Sequence, residues 1–358
     1  MTILDSQLAG LRTFGYTEVE ARFLCLVATH SGYFTVRQFL DFAQAKSGKR
    51  NARLVAKLFA LGHVNAQRFR RRSLVYHLHS RVLYEAIGKP ELRHRRNHQL
   101  AHVKARLLAL DYILANPEND YFETARAKRA YFIEDFGVAE RLFLPSRDHG
   151  SGITFADGFP LCIAHPSPDF SPVVTFTYLD SGRSGVEAFV AHLRTYRPLF
   201  QQLPSFRFHY VSASEVAQPE AAMLFELYVQ GNALQDLTRY FDLKTKWDNK
   251  QYGLLTDPDV LFLSESRKRF TGDHVATLYY LWKRKQLPKH TPSDPPETPQ
   301  QGPKAVFRVI QVPGHEGIFG SRPRKWSDGW QIGGGSSVAS LQRSPVRPTE
   351  AFQNTANG

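Results

Sequence analysis

The chain has 358 residues, with 46 Lys and Arg against 33 Asp and Glu, a formal net charge of +13. At 42% hydrophobic and 13% aromatic it can bury real cores, which excludes disorder throughout. Two cysteines exclude a disulfide framework or a four-ligand zinc cluster, no run of about 18 apolar residues exists to span a membrane, and Met1–Gly10 lacks the basic-then-apolar order of a signal peptide.

The expectation is therefore a cytoplasmic protein with two buried thiols, Cys25 and Cys162, and no membrane partner. The charge favours a polyanion: nucleic acid first, an anionic membrane surface second.

Residues 17–85 read as three helices and a hairpin. Thr17 is placed to cap the first helix, with Glu20 three residues on as its capping-box partner, and Ala21, Leu24, Cys25 and Ala28 follow at helical spacing. Thr35 opens a second helix with Phe39, Leu40 and Ala43 inward. Ser47 opens a third, whose apolar face is Leu54, Val55, Leu58, Phe59 and Leu61, and Gly62 stops it. "HVNAQRF" and "LVYHLH" then read as two strands around a basic tip.

This order predicts a winged helix-turn-helix. Lys49, Arg50, Arg53 and Lys57 share the polar face of the third helix, where a recognition helix meets the major groove, and Asn51 carries an amide suited to adenine. Arg68, Arg70, Arg71 and Arg72 crowd the hairpin, where like charges repel unless phosphates stand between them. Double-stranded DNA is the partner this pattern points to. A solvated basic face, or a winged helix that binds protein, is the blander alternative.

Residues 89–140 read as a helical connector. "ELRHRRNHQLAHVKARLLALDYILAN" carries an apolar stripe, Leu100, Val103, Leu107, Leu110 and Leu114, that must pack on the chain's own C-terminal domain or form a homodimer with a second copy. In helical spacing His94, His98 and His102 fall on one face, but Arg93, Arg95 and Arg96 in the same turn repel a metal ion. "YFETARAKRAYFIEDFG" is a further helix ended by Gly137.

From Ile153 the texture changes. Strand, strand, helix, strand ("ITFADGFPLCIAHP", "SPVVTFTYLDSG", "GVEAFVAHLRTYRPLF", "FRFHYVSAS") predicts an α/β domain with a mixed sheet over 141–287, with helices at "AAMLFELYV" and "RKRFTGDHVATLYYLWKRKQ" on its outside. The rest, 288–358, is rich in Pro, Gly, Ser, Gln and Thr and reads as a disordered tail. The overall class is α+β or α/β and multidomain, with 1–88 as the basic N-terminal domain. Asp157 and Asp180 end successive strands; they are the weak catalytic candidates of a Mg²⁺-dependent nuclease, or else turn caps. No acid-x-Lys follows Asp180, so no cofactor is expected unless that nuclease reading holds.

In its order of parts the chain resembles the replication-relaxation family of bacterial plasmids and integrative elements. Members join an N-terminal winged helix to a domain resembling the PD-(D/E)xK nuclease fold. The matching pieces are 17–85, "NHQLAHVKARLLAL", "FADGF" and "VVTFTYLDSGRSGVEAFVAHLRTYRPLF", so the resemblance covers about 15–280, in order and texture more than identities. Where the family has acid-x-acid after its strand, this chain has Tyr178 and Asp180; Arg194 and Tyr196 fit the following helix, and Asp157 falls at the Asp-Gly step. The resemblance implies DNA binding in plasmid replication, transfer or transcription. Tyr178 in place of an acid implies a degenerate nuclease-like domain, since a phenol is a poor metal ligand at neutral pH.

Overall fold

In the computed structural model, residues 3–46, 48–70, 73–143, 152–155, 160–164, 172–181, 186–213, 218–230, 234–270, 273–284 and 304–313 are described. Among them the chain is a mixed α+β protein with twelve α-helices and two sheets.

The capping box read from Thr17 is formed. The Thr17 hydroxyl accepts from the Glu20 N–H, and the Glu20 carboxylate accepts the Thr17 N–H at 2.8 Å. It starts helix α2 (Glu18–His30), which follows α1 (Asp5–Arg12). Strand β1 (Tyr33–Phe34) leads to α3 (Val36–Phe42), capped by Thr35 and Gln38 in the same manner, and then to α4 (Lys49–Ala60). The hairpin β2 (Val64–Arg70) and β3 (Ser73–Leu78) pairs antiparallel, with a register shift between Arg68 and Arg70. Because β1 pairs with β3, the sheet order is β1-β3-β2.

Leu54 and Leu58 of α4 join Phe23, Leu24, Phe34 and Phe39 in one core, each leucine contributing about 1.5–3 kcal/mol by leaving water. Phe59 and Leu61, expected on the same face, stay 48% and 40% exposed. The short helix α5 (Arg81–Ala86) packs so closely on α1 that a Cβ at Gly10 would lie 2.0 Å from the Ala86 carbonyl oxygen. Neither α1 nor α5 was expected from the sequence; they are short, eight and six residues.

Helix α6 (Leu100–Ala115) organises everything after it. Three residues of its expected stripe, Val103, Leu107 and Leu110, are fully buried inside this chain, and Leu114 is half-buried. Val103 and Leu107 pack on Tyr33 and Val75, and Leu110 enters the core beneath α2. A second face, Leu108, Tyr112 and Ile113, packs on Cys162 and Val211 of the next sheet. No second copy is needed to cover Val103, Leu107 and Leu110, and Leu100 alone of the five stays exposed.

The helix is also shorter than expected. Arg93–Arg95 form a 3₁₀ turn, and only His102 of the three histidines lies on α6, so they share no helical face. The reason is competition from tertiary hydrogen bonds. Tyr33 donates its hydroxyl to the Arg96 carbonyl and accepts the His98 N–H, taking two backbone groups a helix would have used.

The second sheet has order β4-β5-β6-β7-β8: β4 (Asp120–Tyr121), β5 (Leu161–Ala164), β6 (Val173–Asp180), β7 (Ser205–Ser212) and β8 (Lys304–Gln311). The first three pair antiparallel and the last three parallel, so the sheet is mixed. Helix α8 (Val186–Phe200) makes the crossover from β6 to β7. One face, carrying Phe176, Phe206 and Phe208, lies under α8 and α9 (Gln218–Phe225), in a core that also takes in α10 (Leu234–Asp248), α11 (Asp257–Arg269) and α12 (Asp273–Lys283). The other face is partly covered by α6.

Two boundaries differ from expectation. β4 and α7 (Ala125–Glu134), both assigned to a connector, belong to the second body: β4 is its edge strand, and Phe132 stacks on Phe176. β8 falls inside the stretch whose composition points to disorder. It is held by pairing along the whole of β7 and by Phe307 against Phe208 and Phe225, partners distant in sequence that local composition does not reveal.

Candidate functional site

The first turn of α4 is held by its own backbone-facing amide. Asn51 Oδ1 accepts the Gly48 N–H at 3.0 Å, so the oxygen proposed for a base contact is engaged in closing the helix start. Ser47, expected to open the helix, lies outside the described residues, and Gly48 holds the cap position.

Lys49, Arg50 and Arg53 are exposed, and none has an ion-pair partner among the described residues. Arg50 donates once, to the Ala43 carbonyl at 3.4 Å, which leaves most of its five N–H groups for other partners. Lys57 is different. Its ammonium donates to Glu20 Oε2 at 2.7 Å and to the Gly15 carbonyl at 2.8 Å, and sits 5.3 Å from the centre of the Tyr16 ring. It braces α4 against α2 and is removed from the set of available cations.

These residues line an open groove of about 890 Å³ between α4 and the start of α2: Lys49, Arg50, Arg53, Ala56 and Lys57 on one wall, Thr17–Glu20 on the other. The acidic wall is neutralised from within the chain. Glu20 takes Lys57, and Glu18 takes Arg22 at 2.9 Å and Arg12 besides. What the groove presents outward is therefore the uncompensated charge of Lys49, Arg50 and Arg53, with the N-terminus of α2 adding a positive dipole end. Sequence reasoning missed that second wall, although the Thr17/Glu20 capping box fixes where α2 begins.

Arg68 is exposed on β2 opposite Leu74, and Arg70 closes the ladder opposite Ser73 across the bulge. Arg71 and Arg72 lie outside the described residues. Phe69, between the two described arginines, packs into the small cluster of Tyr33, Val75, Val103 and Leu107, which ties the hairpin to α6.

In the second sheet, Asp180 ends β6 and is 5% exposed, and the Tyr210 hydroxyl donates to its carboxylate at 2.6 Å. Tyr210 stacks on Tyr178, the residue standing where the resemblance places an acid. Asp157 lies outside the described residues. No group of three or more His, Cys, Asp or Glu that could hold a metal occurs among the described residues. Asp180 alone among them offers too few oxygens for Mg²⁺, which takes near-octahedral oxygen ligation.

The two thiols are buried, in different cores, and burial pushes both up to about 12, the range of inert structural cysteines. Among the described residues no helix is long and apolar enough to cross a membrane.

Comparison with protein-family models, with curated proteins and with solved structures finds no match to this chain.

Proposed function

We propose that the chain is a DNA-binding protein that acts without catalysis, with residues 18–78 forming a winged helix: α2, α3 and α4 as its three helices, β2–β3 as its wing. The single observation that carries the reading is the groove along α4, where Lys49, Arg50 and Arg53 stay unpaired while every acidic neighbour across from them is neutralised. Folding leaves three adjacent cations exposed and unneutralised, which suits a phosphate backbone. Arg68 and the rest of the basic hairpin would add sequence-independent contacts, and any base preference would come from α4. The resemblance to the replication-relaxation family is what suggests that this activity serves the replication, transfer or transcription of a plasmid or mobile element.

The test is fluorescence anisotropy with random-sequence duplex DNA, comparing the full chain with a Lys49→Gln, Arg50→Gln, Arg53→Gln variant whose fold is checked by circular dichroism. The expected result is binding by the parent and a loss of tenfold or more in the variant, since charge-assisted bonds to phosphate contribute about 1.5–3 kcal/mol each. Equal binding by both, or no binding by the parent under low salt, refutes the reading. In the latter case, capture of a partner protein through the same groove would replace it with an interaction module.

A further inference from the structure

The second sheet carries a basic patch that the α4 reading does not use. In the parallel register, Thr175 lies beside Arg207, and His209 lies beside Arg308, with Lys304 two same-face positions earlier on β8, beside Ser205. Paired residues on adjacent parallel strands point to the same face, so all five side chains share the face that α6 only partly covers. Arg308 and Lys304 are exposed and Arg207 half-buried, and none of the three has an ion-pair partner among the described residues.

Between the arginines sits a histidine with one hand occupied. His209 is 8% exposed, and its Nδ1 is bonded to the Tyr112 hydroxyl of α6 at 2.8 Å. Its Nε2 is buried with no hydrogen-bond partner. A buried polar atom left unsatisfied is costly, and a site that leaves one beside two free guanidiniums is built for something absent. Thr175 is fully buried on the same face, its hydroxyl beside Cys162.

We propose that this face binds a phosphate group, held between Arg207 and Arg308 with His209 Nε2–H as a third donor. Strand spacing and rise put the two arginine α-carbons roughly 8 Å apart on the diagonal, a gap that two long side chains can close onto one tetrahedral oxyanion. Burial first, and then the positive charges of Arg308 and Arg207, hold the imidazole down to about 4, so it is neutral before the ligand arrives. A phosphate between the guanidiniums would screen both charges and accept from Nε2, reversing that push. The site is on β7 and β8, away from α4, and stands or falls independently of the DNA reading.

The experiment is histidine-selective NMR on the full chain, with the His209 signal assigned by loss in His209→Gln. Inorganic phosphate is titrated at constant ionic strength, with chloride as control. The expected result is a saturable shift of the His209 signal and a rise in its pKa, with affinity falling about tenfold or more in Arg308→Gln, an exposed position that should not disturb folding. The same response is expected in the chain carrying the three α4 substitutions, which separates this site from the groove. Stronger response to duplex DNA than to phosphate or a mononucleotide identifies the source as a nucleic-acid backbone; equal response identifies a small phosphate ester. No shift with phosphate, a shift matched by chloride, or one unchanged in Arg308→Gln overturns the proposal.

Discussion

Lys57 and Arg53 are one helical turn apart on α4 and look equivalent in sequence, but they should behave oppositely in DNA binding. Arg53 is exposed and unpaired among the described residues, whereas the Lys57 ammonium already has Glu20 and Gly15 as acceptors. Each cation that neutralises a phosphate contributes about 0.9 to the slope of log affinity against log salt. Arg53→Gln should therefore flatten that slope by about 0.9, so that over a fourfold rise in salt it changes the relative affinity by roughly 3.5-fold. Replacing Lys49, Arg50 and Arg53 together should flatten it by about 2.7. Lys57→Gln should leave the slope near that of the parent. Its effect belongs to stability: Glu20, 5% exposed, loses its cation and keeps only the Thr17 N–H, a cost of about 1–3 kcal/mol. Anisotropy over a salt series, with urea unfolding of each variant, measures both quantities. If Lys57→Gln flattens the slope as much as Arg53→Gln, the ion pair with Glu20 does not sequester it and the account of the groove is wrong.

Three further outcomes follow from the packing. His77 is fully buried between Tyr33 and the turn at His94, and burial above all lowers its pKa from 6.5 to about 4. The unfolded chain thus takes up the proton first as pH falls, so stability is complete above about 6.5 and declines toward 4, by about 1.4 kcal/mol per pH unit for this residue. Urea midpoints at pH 7 and 5.5 should show that decline, and His77→Gln should make it shallower by one proton. Gly15 and Gly32 both have positive φ, but a Cβ at Gly15 meets open space while one at Gly32 comes 2.3 Å from the His94 carbonyl oxygen. Gly15→Ala should cost about 1 kcal/mol and Gly32→Ala about 3 kcal/mol or more; equal thermal shifts would contradict the close approach. Asp111 of α6, with its side chain 3% exposed, accepts two bonds from Arg37 of α3, at 2.8 and 2.9 Å. Arg37→Met should cost about 3 kcal/mol by leaving that carboxylate buried without its guanidinium, and Asp111→Asn less, because Arg37 is 35% exposed and keeps Asp41. A double-mutant cycle showing no coupling between the two would count against a structural role for the pair.

The N-terminal half was legible where signals are local. The capping box at Thr17, the cap at Thr35 and the inward Leu54 and Leu58 each depend on residues within one turn. What escaped depends on distant partners. The alternation of "LVYHLH" suggests a half-buried strand, yet Val75, Tyr76, His77 and Leu78 are all buried, because α6 covers the face that would otherwise meet water. One stripe on α6 was readable, but its second face was hidden by Lys104, Arg106 and Asp111, polar residues that are buried all the same. The basic residues expected on one face of α4 do line one groove, but they are not equivalent there. The pairing of Lys57 with Glu20 spans two helices, and the use of Asn51 as a cap is a matter of side-chain geometry, not of residue type.

The double burial of α6 also sets a timetable for synthesis. The hairpin and its helices leave the ribosome first, but Tyr33, Val75 and Phe69 gain their covering only when Val103 and Leu107 emerge. The N-terminal unit is then complete while the opposite side of α6, Leu108, Tyr112 and Ile113, still waits for β5 and β7. A nascent chain stalled with residue 99 just outside the tunnel should be digested by protease. One stalled with residue 115 outside should keep a resistant N-terminal fragment. The helix would thus act as the last piece of one folding event and the first surface on which the next is built.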